Sequence, residues 1–383
     1  WSSDVCSSDL PDHLRRNHRL VPSIPLTILH RKITMAACPE FRGNVHRTTD
    51  ELKIWTAQRR EAALEPDLPI VDPHHHVWDD ARGRYLIHEL ADDVGSGHNI
   101  VATVFIEAGA MHRADGPAAD SPVGEVEFVS GIAAMSASGR YGKTKLCAGI
   151  IGHGDLMLGD GVRPVLEKLI LAGGGRLRGI RHGVCWDTGN AARFGRRQVP
   201  QHQVLDPVFR KGFAHLHALG LSFESWQFHP QLPDVADLLR AFPDTSVILN
   251  HCGGLLGIPP HDASRAETFK VWHANVKALA QFPNLTIKVG GLGMLYCGWD
   301  FHMRDVPPSS EELAEAWRPY VEACIEAFGP ARCMMESNFP VDKQSCGYDV
   351  LWNALKRITA NFSPAEKLQL YRDTAARVYR LSI

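Results

Sequence analysis

The amino-acid sequence predicts an α/β fold in which eight parallel strands close into a (β/α)8 TIM barrel, with short helical extensions at both ends. Eight short apolar, β-branched segments alternate with amphipathic stretches, which is typical of a parallel sheet. Four of the segments that lead from a helix into the next strand have only one to three residues. Three segments that follow strands are much longer, at residues 109–124, 183–206 and 290–309. Long loops at only the carboxyl ends of the strands favour a barrel enzyme over an open, doubly wound sheet, because these loops build the active site of a barrel.

The predicted strands alternate with helices from residue 69 to the end of the chain. We expect strands at residues 69–76, 99–108, 145–151, 177–182, 221–228, 246–250, 285–289 and 333–336. Apolar residues at i, i+3 and i+4 spacing predict helices between them, for example at residues 232–242, 263–281 and 311–328. Further helices are expected around residues 50–64 and 364–379. A glycine-rich run at residues 290–293 favours a hinge for a lid, because it lacks the GK[ST] ending of a phosphate-binding loop.

The first 34 residues carry no signal of a fold. They contain no methionine, and the polar run WSSDVCSSDL has no hydrophobic periodicity and resembles translated sequencing-adapter read-through. We therefore expect residues 1–34 to be a non-native or disordered tail and Met35 to be the natural start. Residues 35–68 are interpreted as a helical extension, and residues 69–383 as one barrel domain.

Composition and charge exclude several classes of protein. The 383 residues are 44% hydrophobic and 22% charged, within the globular range. Lys and Arg number 41 against 43 Asp and Glu, so no basic surface for nucleic acid is expected. No apolar run reaches the ~18 residues of a membrane span. The nine cysteines form no CxxC pair, which argues against a disulfide framework. We expect a cytoplasmic protein with a small-molecule substrate, and a homo-oligomer is left open.

A histidine cluster ends the first predicted strand. Residues 70–79 read IVDPHHHVWD. Because side chains alternate along a strand, Asp72, His74 and His76 share one face. Two imidazoles two residues apart can bind one metal ion, and imidazole suits zinc, manganese and iron. A histidine-rich surface turn is the alternative, but the apolar strand that runs into the cluster favours a metal site.

This segment resembles the D-x-H-x-H strand ending of the amidohydrolase superfamily, specifically its amidohydrolase-2 branch. Residues 228–230 (FHP), 249–254 (LNHCGG) and 333–340 (CMMESNFP) resemble later strand endings of that family in the same order. The resemblance covers residues 69–383. It implies a divalent metal held by His74, His76 and His229, with His251 hydrogen-bonded to the developing oxyanion. Zn²⁺ is expected first and Mn²⁺ second, with a metal-free site as the alternative.

Two positions of the last strand ending depart from the family pattern. Asn338 stands where the motif has aspartate, and Glu336 stands where it usually has glycine. An amide cannot act as a general base near neutral pH, although its oxygen can orient a water molecule. Glu336 lies two residues earlier on the same strand face and could supply the carboxylate. Glu336, Asn338 and His251 are therefore the catalytic candidates, and a buried carboxylate paired with a basic residue is the alternative for Glu336.

Other residues at the predicted strand ends are candidates for substrate binding. Arg181 could bind a substrate carboxylate through two hydrogen bonds, although we favour a pair between Arg181 and Glu107 inside the barrel. Glu224 and Lys288 are expected to pair with other polar groups of the core. Aromatic side chains on the loops predict a substrate with a ring or apolar body. The substrate-binding candidates are Arg181, His182, Glu107, His153, Trp78 and Trp186.

The resemblance implies a hydrolase that opens a lactone or other cyclic ester of a small carboxylated or ring-containing substrate. Two other activities are open on the same barrel. A non-oxidative decarboxylase must deliver a proton to carbon, and a lactone isomerase would shift an acyl group without water. A catalytically inactive binding protein is the competitor from another class. Asn338 supports that competitor, whereas the four strand-end histidines oppose it.

Overall fold

The computed structural model describes residues 47–189, 191 and 199–383. The expected tail and the first part of the predicted extension, residues 1–46, lie outside the described residues. Thr49–Ala57 form a helix ahead of the first strand. The helix begins with a capping box, in which the Glu51 backbone N–H donates to the Thr48 hydroxyl and the Thr48 N–H donates to the Glu51 carboxylate.

The strands are β1 (Pro69–His75), β2 (Trp78–Asp80), β3 (Gly83–Tyr85), β4 (Asn99–Ile106), β5 (Lys145–His153), β6 (Leu177–Arg181), β7 (Ser222–Ser225), β8 (Val247–Leu249), β9 (Leu285–Val289) and β10 (Cys333–Met335). Eight of them form one parallel sheet in the order β1, β4, β5, β6, β7, β8, β9, β10, and β2 and β3 form a separate antiparallel hairpin. All eight predicted strands are present, and the (β/α)8 barrel is confirmed.

The barrel closes where the chain leaves β10 and meets β1. His75 and Phe339 form a parallel bridge, and the His76 backbone N–H donates to the Phe339 carbonyl at 2.8 Å. The Asp72 carboxylate strengthens this seam, because it accepts hydrogen bonds from the Ser337 backbone N–H at 3.1 Å and from the Tyr348 hydroxyl at 3.0 Å. The first and last strands are thereby joined at their carboxyl ends.

Helices follow the strands around the outside of the sheet. They span Ile87–Val94, Val123–Ala137, Arg163–Ala172, Pro207–Phe213, His215–Ala218, Leu232–Ala241, Arg265–Leu279, Ser310–Phe328, Tyr348–Ile358, Pro364–Leu368 and Thr374–Val378. A π-helical turn, Gln369–Asp373, joins the last two of these helices. None of the described helices is long and apolar enough to cross a membrane.

The amino-terminal end of the barrel interior is filled with apolar side chains. Val71, Val104, Ile151 and Ile248 belong to one buried cluster, and Tyr379 from the C-terminal segment packs into it. The Lys145 ammonium, at the start of β5, donates to the Ser382 carbonyl at 2.7 Å, so the C-terminal residues lie at the amino ends of the strands. The carboxyl ends carry the polar residues.

Candidate active site

Three buried histidines lie side by side at the carboxyl ends of β1 and β8. The ring of His74 is 5.0 Å from that of His76 and 4.3 Å from that of His251, measured between centroids. His76 follows β1 directly, and His251 lies two residues after β8. The predicted alternation along β1 therefore brings the first two rings together, and the β8 ending adds the third.

The side chain of Glu336, directly after β10, links two of these histidines. One carboxylate oxygen lies 2.9 Å from Nδ1 of His74, and the other lies 2.8 Å from Nδ1 of His251. When Glu336 is ionised its carboxylate only accepts, so His251 donates to it from Nδ1 and keeps Nε2 for another partner. His76 is held in the same way, because its Nδ1 lies 2.8 Å from the Ile106 carbonyl oxygen.

Burial governs the protonation of this cluster. It lowers the pKa of His74 and of His251 well below the ordinary value, and the positive charges of Lys288 and Arg181 act in the same direction. Burial also raises the pKa of Glu336 to about 8, against the opposing effect of Lys288. The imidazoles are neutral at neutral pH, which is the form that binds metal ions.

Two pairs of opposite charges flank the histidines. Arg181, the last residue of β6, donates from Nε to the Glu107 carboxylate at 2.7 Å, and its Nη1 lies 3.5 Å from Nε2 of His74. The fully buried Lys288 ammonium lies 2.9 Å from the Glu224 carboxylate and 3.3 Å from Nδ1 of His74. The structure thus shows both polar pairings that the sequence analysis favoured.

Glycines after β9 make room for the link between His251 and Glu336. A Cβ atom at Gly290 would lie 2.5 Å from Cγ of Glu336, and one at Gly291 would lie 2.4 Å from Nδ1 of His251. Both approaches are too close for any side chain. The glycine run provides a surface against which the two side chains pack, and its role as a hinge stays a prediction.

Other candidate residues lie apart from this cluster. His229 lies in a turn after β7, where its Nδ1 accepts the Leu256 backbone N–H at 3.2 Å and its ring is 5.4 Å from that of His261. The ligand set of His74, His76 and His229 stays a prediction. Among the described residues, the group of three that brings possible ligand atoms within 4.8 Å of one another is His74, His251 and Glu336.

The candidates near β5 and β6 have different surroundings. His153 contacts the Arg181 carbonyl oxygen through Nδ1 at 3.0 Å. His182 points to the other side of the sheet from Arg181, as expected for neighbours on a strand. Its Nδ1 accepts the Leu156 N–H at 3.0 Å, and its Nε2 lies 3.2 Å from the Gln203 amide.

Aromatic side chains border the cluster. Trp78 stacks on His76 with ring centroids 5.8 Å apart, and Trp226, directly after β7, meets His251 edge to face at 4.7 Å. Trp186 is half-buried, and its backbone N–H donates to the Gln231 side chain at 2.9 Å. Sequence analysis missed Trp226, because it counted this residue within the fifth strand. The position two residues after Glu224, on the same face of the strand, was the available signal.

Asn338 lies at the seam beside His74. Its backbone N–H donates to the His74 carbonyl at 2.9 Å, and its side-chain nitrogen donates to the Asp342 carboxyl at 2.7 Å. Sequence analysis missed Asp342, which lies outside the recognised strand endings. A carboxyl four residues after the motif asparagine was the only local signal.

Known proteins resemble this chain over most of its length. Residues 71–381 match the family described as "Amidohydrolase". An uncharacterised protein, y4mH, of Sinorhizobium fredii is 33% identical over 82% of this chain and 99% of its own length. An L-fucono-1,5-lactonase of Burkholderia multivorans is 26% identical over 81% of this chain and 96% of its own.

Solved structures share the barrel. An amidohydrolase of Burkholderia multivorans with bound zinc is 24% identical, with a TM-score of 0.61 over 82% of this chain and 99% of that one. A probable 2-pyrone-4,6-dicarboxylic acid hydrolase of Acinetobacter baumannii, with citric acid bound, is 12% identical with a TM-score of 0.55 over the same shares. The extent of the family match and the y4mH similarity lead to one conclusion: this chain belongs to the amidohydrolase family and is a hydrolase.

Proposed function

We propose that this enzyme opens the lactone ring of a small hydroxylated or carboxylated substrate. The observation that carries the proposal is the hydrogen bond between Nδ1 of His251 and the Glu336 side chain at 2.8 Å. Such a carboxyl group orients the imidazole so that its Nε2 atom acts on a substrate. The names of the lactonase and the pyrone-dicarboxylate hydrolase among the similar proteins support the choice of ester.

In this proposal His251 and Glu336 move the proton. The neutral His251 takes a proton from the attacking water at Nε2, and Glu336 in its ionised form, which is favoured as the pH approaches its raised pKa of about 8, stabilises the imidazolium that forms. His251 then returns the proton to the ring oxygen as the carbon–oxygen bond breaks. This role of His251 differs from the oxyanion contact expected from the sequence. An imidazole that donates from Nδ1 to Glu336 has an acceptor at Nε2, and an acceptor can take a proton but cannot donate to an oxyanion.

Neighbouring histidines fit a divalent metal ion. His74 and His76 offer two neutral imidazoles, which are donors that zinc binds, and they would hold the ion while His251 transfers the proton. Zinc would polarise the lactone carbonyl. We propose Zn²⁺ first and Mn²⁺ second, and the bound zinc named for the Burkholderia multivorans structure supports the order.

Arg181 and the aromatic side chains would bind the substrate. The Arg181 guanidinium ends between Glu107 and His74 and can donate to a carboxylate or hydroxyl group. Trp78 and Trp226 border the histidines on two sides. Aromatic residues at these places suit a ring-containing lactone.

The test is a substrate panel with the purified protein. L-fucono-1,5-lactone, 2-pyrone-4,6-dicarboxylate and 5-carboxyvanillate are supplied separately, and acid release, ring absorbance and CO₂ release are recorded. We expect opening of a lactone without CO₂. Release of CO₂ from the aryl carboxylate would replace this proposal with the decarboxylase. Rearrangement without net acid release would replace it with the isomerase, and binding without turnover would favour the binding protein.

A further inference from the structure

A buried carboxyl group that the proposed chemistry does not use lies behind Asn338. Asp342 begins a short helical turn, Asp342–Gln344, after β10 and has no exposed surface. Its Oδ1 accepts the Asn338 side-chain N–H at 2.7 Å, and its Oδ2 accepts the Gly293 backbone N–H at 2.8 Å. A Cβ atom at Gly293 would lie 2.8 Å from that Oδ2, so the approach requires glycine. Asp342 therefore joins the segment after β9 to the segment after β10.

The neighbours of Asn338 place it in the active site. Its backbone N–H donates to the His74 carbonyl at 2.9 Å, and it lies two residues after Glu336. Its φ of 56° is in the left-handed region, which asparagine tolerates better than most residues. The Asn338 backbone is thereby fixed beside that of His74.

The contact with Asp342 also sets the orientation of the Asn338 side-chain amide. The side-chain nitrogen of Asn338 faces Asp342 and donates to its Oδ1. Because the amide is planar, its oxygen then lies on the opposite edge. None of the described residues donates a hydrogen bond to that oxygen.

We infer that Asp342 is a positioning residue that keeps the Asn338 oxygen turned toward the substrate, where it accepts a hydrogen bond from a ring hydroxyl. The inference rests on the proposed lactonase function and narrows its substrate to hydroxylated lactones. Asn338 selects the substrate in this account and does not transfer a proton.

The substitution Asp342→Asn should turn the Asn338 amide over, so that its nitrogen and not its oxygen faces the substrate. It does so without removing a hydrogen bond. The new amide oxygen can accept the Gly293 N–H, and the new amide nitrogen then faces Asn338. The Asn338 side chain satisfies that donor by rotating its own oxygen toward it. The side-chain nitrogen of Asn338 then faces the substrate, so a hydrogen-bond donor stands where wild type has an acceptor.

The experiment compares two six-membered lactones that differ in hydroxyl groups. For Asp342→Asn we expect the KM of L-fucono-1,5-lactone to rise about 10- to 100-fold, since a substrate hydroxyl loses its acceptor. The KM of δ-valerolactone, which has no hydroxyl, should rise by at most about threefold. The melting temperature should stay within about 2 °C of wild type, because every hydrogen bond has a replacement.

The exchange variant Asn338→Asp/Asp342→Asn is the matched rescue. Its carboxylate at position 338 accepts from the new amide and again presents an oxygen to the substrate, so the KM of L-fucono-1,5-lactone should recover to within about fivefold of wild type. An equal rise in KM for both lactones, or failure of the exchange to restore KM while the melting temperature falls, would overturn the inference and make Asp342 a structural residue.

A binding measurement separates this inference from the proposed function. If wild type hydrolyses neither lactone, the lactonase proposal fails, and calorimetric binding of the open-chain acid L-fuconate to the same three proteins tests Asp342 directly. Weaker binding by Asp342→Asn that the exchange restores supports the inference. Equal binding by all three proteins, or no binding by wild type, contradicts it.

Discussion

The two ends of the barrel interior are built from opposite kinds of side chain. The amino end is filled with Val71, Val104 and Ile248 and closed by Tyr379. At the carboxyl end, imidazoles, the Glu336 carboxylate and the Arg181 guanidinium face one another in a buried space. Burying ionisable groups costs free energy, and such a concentration at one end marks a functional site. The apolar amino end contributes to the stability of the fold, and the carboxyl end contains the residues proposed for catalysis.

Removal of the metal should have the largest effect on the carboxyl end. We expect about one zinc per chain by elemental analysis after purification without chelator. Chelation should lower lactone hydrolysis about 10³-fold or more, since a Lewis acid supplies several kcal/mol, and should also lower the melting temperature. Zinc added back should restore both quantities. Metal well below one equivalent, with activity indifferent to chelator, would leave a metal-free site.

Variants of His74 and His229 test which histidines hold the zinc. His74→Gln should lose zinc, because His74 is one of the two neighbouring imidazoles proposed to hold the ion. His229→Gln should keep it, because His229 is engaged by Leu256 and lies beside His261. Loss of zinc from both variants would restore the ligand set that the sequence implied.

Lys288 lies where the two ends meet. Lys288→Met leaves the Glu224 carboxylate buried without its cation, which should destabilise the fold by about 3–5 kcal/mol in denaturant unfolding. The double variant Glu224→Gln/Lys288→Met removes both charges and should regain most of that loss. If the double variant is no more stable than the single one, the pair is not what stabilises this layer.

His98, just before β4, should make the fold sensitive to acid. Burial and the neighbouring Lys356 lower the pKa of His98 to about 4. Between pH 6.5 and 4 the unfolded chain therefore binds a proton that the folded chain does not, and stability falls as pH falls, by up to about 3 kcal/mol. His98→Gln should make the melting temperature depend less steeply on pH over this window, while the other buried histidines keep their share. His217→Gln, at an exposed histidine, should leave it unchanged.

The smallest effect is expected at the amino end. The Tyr379 hydroxyl donates to the Glu224 carboxylate at 2.6 Å, and Tyr379→Phe leaves that oxygen without its donor. We expect a loss of about 1–3 kcal/mol in unfolding free energy with kcat retained. A fall in kcat larger than the fall in stability would show that the two ends are coupled.

The sequence predicted features that depend on local periodicity. Alternation in β1 placed His74 and His76 on one face, and the short joins before the strands predicted the closed barrel. Contacts between distant segments left no local pattern. The link from Glu336 to His251, the packing of Gly291 against that histidine and the carboxyl group of Asp342 behind Asn338 all depend on how separate loops meet in space.

The central claim is that Glu336 holds His251 for proton transfer at the carboxyl end. The most direct measurement is the rate of lactone hydrolysis by Glu336→Gln and Asn338→Ala beside wild type. We predict a loss of about 10²- to 10⁴-fold for Glu336→Gln and a smaller loss for Asn338→Ala. A greater loss for Asn338→Ala, with Glu336→Gln near wild type, would make Glu336 a structural carboxylate and contradict this account.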